Sequence, residues 1–125
     1  MQVDIEKIEH KSFISAFGTN YVSINKKKYK NLIFYSMQEI IGFEKVKSIY
    51  DKIILEKLDA LLKFNEPDLI LFGSGKSFIN LPNELKKLLI DNKRNFEVMT
   101  SISAYSTHNV LISEKRNIIS IIKLV

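Results

Sequence analysis

The segment Gly73-Ser74-Gly75-Lys76-Ser77 is the first part of the sequence whose residue types could do chemistry. A P-loop, which cradles phosphates with backbone N–H groups, also ends in Gly-Lys-Ser/Thr, but it needs another glycine five residues before the last one. Ile70 occupies that position. The segment therefore predicts a Gly-rich turn after a buried strand, where a small anion or another ligand could still bind.

The two histidines, His10 and His108, do not have the spacing of a metal site, and the chain has no cysteine. Because a metal needs three or four converging ligands, we predict no metal site. A Ser-His-acid arrangement at His108 stays open, although no nucleophile-elbow motif accompanies it. The pattern favours a surface or half-buried histidine, and we assign no catalytic residue.

Lysines 26, 27, 28 and 30 surround Tyr29 and are the residues most suited to a polyanion. The net charge of +5 and the pI of about 9.3 favour weak attraction to such ligands. A hairpin turn is normally this polar, however, and the remaining lysines are scattered. Nucleic acid is therefore not favoured as a partner.

Composition bounds the class of protein. With 125 residues, 46% of them hydrophobic and 26% charged, the chain predicts a single globular domain over residues 1–125. The N-terminus lacks the pattern of a secretory signal, and no apolar run approaches the roughly 20 residues that span a bilayer. The lack of cysteine fits a reducing compartment. We expect a cytoplasmic protein with no membrane span and no cofactor.

The elements that must position these residues divide at residue 50. Residues 1–50 predict a β meander, in which a hairpin turns at Gly18-Thr19-Asn20 and a charged turn covers Lys26–Lys28. The alternating patterns predict strands around Phe13–Phe17, at Tyr21–Ile24, at Leu32–Tyr35 and, more weakly, within Ile40–Ile49.

Residues 51–125 predict helices and strands in alternation. Helices are expected from Asp51 to about Lys63, from Leu81 to Asp91 with Leu85, Leu88 and Leu89 buried, and from Ser101 to about Glu114 with Ala104, Val110 and Leu111 buried. Strands are expected at Asp68–Phe72, Phe96–Met99 and Ile118–Leu124. The fold class is thus a three-layer α/β domain, an N-terminal β meander packed on a mixed-sheet β-α-β-α-β unit.

The order and spacing of several segments in the second half resemble one family of small domains. That family includes mitochondrial respiratory complex I assembly factor 3, the adipogenesis-associated domain protein and many uncharacterised bacterial and archaeal proteins. The similar segments are Pro67–Gly75, Leu81-Pro82, Glu97–Met99, Ala104, Thr107–Leu111 and Glu114–Arg116. His108 and Lys115 depart from the family pattern, in which an aromatic residue and a glycine are usual.

The resemblance implies a mixed-sheet domain with no established catalytic activity and, by analogy, a role in protein interaction or complex assembly. The first hypothesis is a non-enzymatic module with an unknown protein partner; a homo-oligomer stays open. The alternative is a small-molecule or anion-binding protein, or an enzyme, with a pocket between the Gly73–Gly75 turn and the Thr107–Asn109 helix. Its candidate residues are Gly73, Ser74, Gly75, Thr107, His108, Asn109 and Arg116.

Overall fold

The computed structural model describes residues 12–125. These residues form eight strands and three helices. The strands are Ile14–Gly18 (β1), Tyr21–Ile24 (β2), Lys27–Lys30 (β3), Leu32–Tyr35 (β4), Ile40–Gly42 (β5), Leu69–Gly73 (β6), Phe96–Met99 (β7) and Ile118–Lys123 (β8). The helices are Lys52–Leu62 (α1), Asn83–Asp91 (α2) and Ser101–Ser113 (α3).

The central layer is a five-stranded mixed sheet with the strand order β5-β4-β8-β6-β7. Strand β6 runs parallel to both β7 and β8, whereas β4 runs antiparallel to β8 and β5. The apolar runs of β4, β6 and β8 are buried along nearly their whole lengths, because both faces of the sheet are covered. The predicted interior strand at residues 68–72 is confirmed.

Helices α1 and α2 cover one face of this sheet. Ile54 and Leu58 of α1 and Leu85 and Leu89 of α2 each recur at i, i+4, and they pack on Phe72 and its neighbours on that face. The Asp51 side chain begins α1 by accepting a hydrogen bond from the Ile53 N–H at 3.0 Å.

Helix α3 and a three-stranded antiparallel sheet, ordered β1-β2-β3, cover the other face. Val22, Ile24 and Tyr29 of the small sheet share a core with Ile122 of β8 and Ala104 of α3. The three-layer α/β fold predicted from the sequence is therefore confirmed, with the meander on one side of the central sheet and two helices on the other.

The second turn of the meander is shorter than predicted. Asn25 and Lys26 have φ angles of 53° and 65°, which is a two-residue turn with both central residues in the left-handed region. Strand β3 consequently begins at Lys27, and the prediction of a turn over Lys26–Lys28 was wrong for its last two residues. The sequence did not predict this strand because Tyr29 is its only buried residue and its lysines are typical of an exposed turn.

Three further details of the prediction were wrong. Strand β5 ends at Gly42, so that Val46 lies in a loop rather than in a strand. Leu88 and Val110 were expected in the core but are each 54% exposed. Each belongs to a helix whose other apolar residues already fill the contact with the sheet, which leaves these two at the outer side.

Candidate functional site

The Gly73–Gly75 turn follows β6 and is hydrogen-bonded to the start of α3. The Gly75 N–H donates to the Ser101 hydroxyl at 2.9 Å, and the Ser101 N–H donates to the Gly75 carbonyl, also at 2.9 Å. Ser101 in turn donates to the carbonyl of Lys123. Gly75 has φ +112°, a backbone conformation that L side chains rarely adopt. The turn is thus fixed by backbone hydrogen bonds at the carboxyl end of β6.

Gly73 is required for a different reason, which is space. A Cβ at this position would lie 2.7 Å from Cγ2 of Ile122 and 3.0 Å from Cβ of Ala104. The absent side chain lets α3 pack closely on β6 and β8. Of the two glycines, only Gly75 has a positive φ angle.

Ser74 organises the loop that follows. Its hydroxyl donates to the Ser77 carbonyl at 2.8 Å and accepts from the Ile79 N–H at 3.0 Å. The next helix begins only at Asn83, so no helix N-terminus faces Lys76 as it would in a P-loop. Ser74 has its hydrogen-bonding capacity used within its own loop.

His108 is fully buried, which corrects the prediction of a surface or half-buried side chain. Its Nε2 lies 2.8 Å from the Ser12 carbonyl, and its Nδ1 lies 2.8 Å from the Ser120 hydroxyl. Because a carbonyl only accepts, Nε2 carries the proton and Nδ1 accepts from Ser120. The Tyr35 ring packs edge-on at 4.7 Å. Burial lowers the pKa of His108 to about 4, so the ring is neutral at pH 7.

The hydroxyl–imidazole pair of Ser120 and His108 has the same donor direction as an activated serine nucleophile. Two features separate it from one. Ser120 is fully buried, and the other ring nitrogen meets a backbone carbonyl instead of a carboxylate. No substrate carbonyl can reach the hydroxyl in this arrangement. The pair joins α3 to β8 and to the chain entering β1.

Asn109 makes a two-point contact with the outer edge of β1. Its side-chain oxygen accepts from the Ile14 N–H at 2.8 Å, and its amide nitrogen donates to the Ile14 carbonyl at 2.9 Å. This is the pair of bonds that a neighbouring strand would make with Ile14. The Asn109 amide therefore acts as a cap for β1.

Of the two remaining candidates, one lies on α3 and the other follows it. Thr107 is half-buried beside His108, and Arg116 is exposed beyond the end of the helix. Nε of Arg116 lies 3.7 Å from the Asp68 carboxylate, with which it forms an ion pair. At a rise of about 1.5 Å per residue, Arg116 is about 20 Å from the Gly75 end of α3. The seven candidates thus extend from the turn after β6, along α3, to the loop beyond that helix, and a ligand pocket at them stays a prediction.

A groove between α1 and α2, named here the leucine groove, was not among the predicted sites. It has a volume of about 410 Å³. Its lining residues are Leu55, Leu58, Asp59, Leu62, Lys63, Pro82, Glu84, Leu85, Leu88, Leu89, Asn92 and Arg94. Six leucines form its walls and floor, and charged residues lie around them. The one sequence feature that indicates the groove is the number of leucines in α1 and α2, which is larger than the number that can pack on the central sheet.

Arg94 lies in the leucine groove but is occupied. Its guanidinium donates to the Leu62 carbonyl in the last turn of α1 at 2.8 Å and to the Asn65 carbonyl beyond that helix at 3.3 Å. A cation there compensates the helix dipole and the unpaired carbonyls. The groove is therefore an apolar site in which the arginine has a structural role, rather than an anion site.

Within residues 12–125, no three side chains of the His, Asp and Glu types come together to hold a metal ion. His10 lies outside the described residues. No helix in this part of the chain combines the length and apolar character that crossing a bilayer requires.

The mixed sheet with two helices on one face, and a helix plus a small antiparallel sheet on the other, defines the class of three-layer α/β domains. Residues 14–122 match the family described as protein of unknown function, DUF498/DUF598, and the chain belongs to this family. The family resemblance read from the segments between Pro67 and Arg116 is confirmed, since structural neighbours include a protein described as an Mth938-like domain.

Solved structures share the fold at low sequence identity. An outer membrane protein from Bartonella henselae is 22% identical, with 94% of this chain and 98% of that chain covered and a TM-score of 0.78. The Mth938-like domain from Bordetella pertussis is 17% identical, with 92% and 87% covered and a TM-score of 0.73. A curated relative, the 13 kDa major membrane protein of Francisella tularensis subsp. holarctica (strain LVS), is 25% identical over 122 residues, 98% of both chains.

Proposed function

We propose that this protein is a non-enzymatic protein-interaction module, and that a partner protein binds in the leucine groove. The observation that supports the proposal is Leu88, which lines the groove and leaves 54% of its surface exposed on a helix that is otherwise anchored by Leu85 and Leu89. An exposed leucine in a concave apolar site loses water-accessible area only when something fills that site.

The shape and chemistry of the groove favour the apolar face of a helix as its occupant. The groove between two neighbouring helices can accept apolar side chains of a third helix, spaced at i, i+3 and i+4 along that helix. The rim carries charges of both signs, Asp59 and Glu84 against Lys63 and Arg94. An apolar floor with a mixed polar rim is the usual anatomy of a protein interface.

A role in complex assembly is the finer part of the proposal. It is supported by the resemblance to the family of complex I assembly factor 3, and it requires that the bound protein be a subunit of a larger complex. A cytoplasmic location belongs to the same proposal and is supported by the absence of cysteine. Two relatives carry membrane names, so recovery of this protein in the membrane pellet after cell fractionation would contradict that location.

Site-specific photo-crosslinking in native cells tests the groove. A photoreactive amino acid at Leu88 should give a defined protein adduct, whereas the same amino acid at Ile90 should not. Ile90 is the matched control because it is 57% exposed on the same helix and does not line the groove. Leu88→Glu should then abolish co-purification of the adduct partner, and Ile90→Glu should retain it.

The outcomes separate the alternatives. An adduct between two copies of this chain would show that the groove mediates homo-oligomerisation and does not bind a different protein. Equal adducts at both positions, or repeated absence of any adduct at residue 88, would remove the basis of the proposal.

A further inference from the structure

A second cleft, named here the lysine cleft, opens between two edge strands on another side of the molecule. It has a volume of about 670 Å³ and shares no residue with the leucine groove. Its lining residues are Lys27, Lys28, Tyr29, Lys30, Ile40, Ile41, Gly42, Phe43, Glu44, Lys45 and Val46. Strand β3 forms one wall, and β5 with the loop after it forms the other.

The lysine cleft is preformed. Tyr29 lies at its base against Gly42, where a Cβ would come within 3.1 Å of the tyrosine Cδ1. Asn31, at the end of β3, donates to the carbonyls of Phe43 and Val46 at 2.6 Å each. These bonds tie the loop wall to the strand wall. A ligand would therefore bind without the cost of ordering the cleft first.

The charge of the lysine cleft is unbalanced. Four lysines line it against a single acidic residue, Glu44. Within residues 12–125, none of the four forms an ion pair, and all four are exposed. Lys28 lies over the Tyr21 ring at 4.2 Å and Lys27 over the Tyr29 ring at 5.3 Å. Cation–π contacts position an ammonium group but do not neutralise it.

The wall formed by β3 also offers backbone hydrogen bonds. Strand β3 pairs with β2 and is the edge of its sheet. Across the two-residue turn, Ile24 and Lys27 are the first facing pair, so alternate residues direct their N–H and C=O groups outward. Those residues are Lys28 and Lys30. Their free backbone groups and their charges thus lie along the same edge.

Lysines on an edge strand ordinarily prevent it from pairing with another copy of itself. The same charges attract a strand of opposite sign. We propose that the lysine cleft binds an acidic, extended segment of another protein, which adds to the edge of β3 as a further strand. Alternate side chains of that segment would reach the lysines, while its backbone pairs with Lys28 and Lys30.

Fluorescence polarisation with a defined peptide tests the proposal. The ligand is a fluorescein-labelled peptide of alternating Glu and Val, about eight residues long to span β3 and the turn. The control ligand has Gln in place of Glu. We expect binding of the Glu peptide in about 50 mM salt, about tenfold or more weaker binding in about 300 mM salt, and no binding of the Gln peptide.

Charge reversal locates the site. The double variant Lys28→Glu, Lys30→Glu should weaken binding by about tenfold or more. The matched control Lys76→Glu, Lys87→Glu makes the same change in net charge at exposed positions outside both clefts and should bind as the unaltered protein does. If the β3 variant does not fold, Lys45→Glu tests the opposite wall. Slowed amide exchange at residues 28 and 30 should mark the added strand.

Several results would overturn the proposal. They are no binding of the Glu peptide at low salt, equal weakening by the Lys76/Lys87 control, and stronger binding of a dT oligonucleotide or of phosphatidylglycerol vesicles than of the peptide. The last result would make the cleft a nucleic-acid or membrane site. None of these results bears on the leucine groove, because that proposal depends on Leu88.

Discussion

At His108, burial and two hydrogen bonds hold a titratable ring in its neutral form. Its pKa is lowered from 6.5 to about 4 by burial, which outweighs the opposing hydrogen bond to the Ser12 carbonyl. In the unfolded chain the ring takes up a proton near pH 6.5, whereas in the fold it does so only near pH 4. Between about pH 4 and pH 6.5 the unfolded state therefore binds more protons than the folded state, so stability falls as the pH is lowered through this range. The stability contributed by the neutral ring is fully present above about pH 6.5.

We predict that the free energy of unfolding falls by about 3 kcal/mol between pH 6.5 and pH 4 through His108 alone. His108→Gln removes the titration while keeping an amide that can donate to the Ser12 carbonyl. This variant should be less stable than the wild-type protein at pH 7.5 but should lose less stability on acidification. Urea unfolding at a series of pH values measures both effects.

An exposed position on the same helix supplies the control. Ser106→Ala should keep the pH dependence of the wild-type protein, because the predicted effect belongs to residue 108. If His108→Gln retains the wild-type slope between pH 6.5 and pH 4, carboxylates rather than the buried ring control acid unfolding.

At the scale of elements, the two edge strands of the three-stranded sheet differ in what covers them. The outer edge of β1 is closed by the side chain of Asn109, while the edge of β3 is left open beside four lysines. Closing one edge with an amide removes one site of unwanted strand pairing without adding another strand.

We predict that Asn109→Ala frees β1 from α3. The Ile14 N–H and carbonyl would lose their partner, which costs about 1–3 kcal/mol of stability. Hydrogen exchange at the Ile14 amide should accelerate more than exchange at the amides of β8. Ser106→Ala, on the exposed side of the same helix, is the control and should leave both rates unchanged. Equal acceleration throughout the protein would show global destabilisation instead of local release of β1.

An element could be predicted from the sequence where residues close together in the chain determine its structure, and not where contacts distant in sequence determine it. The strand at Leu69–Gly73 was predictable because an uninterrupted apolar run between a proline and two glycines has few other interpretations. Strand β3 was not, because its only buried side chain is Tyr29 and its lysines look like a turn. The leucine groove was missed because Leu88 and Leu85 are the same residue type, and which of them meets the sheet depends on contacts distant in sequence.

His108 illustrates the same limit at the candidate site. A histidine between Thr107 and Asn109, in a helix that also carries several serines, is expected to be exposed. The partner that makes its burial tolerable, Ser120, lies on the next strand. The resemblance located the segment around His108, but it could not show that the residues there contact the fold's own backbone.

At the scale of the whole molecule, strand β8 connects the layers. Ile119 and Ile121 face the core shared with α1 and α2, while Ile122 faces the core shared with the small sheet and α3. If the meander and the α/β unit were separate folding units, their interface at Ile122 could open on its own. Because the small sheet has only three strands and buries its inner face solely on this core, we expect it to be unstable without β8.

We therefore predict that the chain unfolds in one cooperative transition and that Ile122→Ala weakens all of it. Removal of a fully buried isoleucine side chain costs about 2–5 kcal/mol. Amide exchange of Val22 in the small sheet and of Leu58 in α1, followed across a urea series, should shift to lower urea by the same amount. Ile53→Ala, at a position that is 50% exposed, should shift both by less than about 0.5 kcal/mol. Earlier loss of protection at Val22 than at Leu58 would show that the meander opens independently, and the single-domain interpretation would then fail at residue 50.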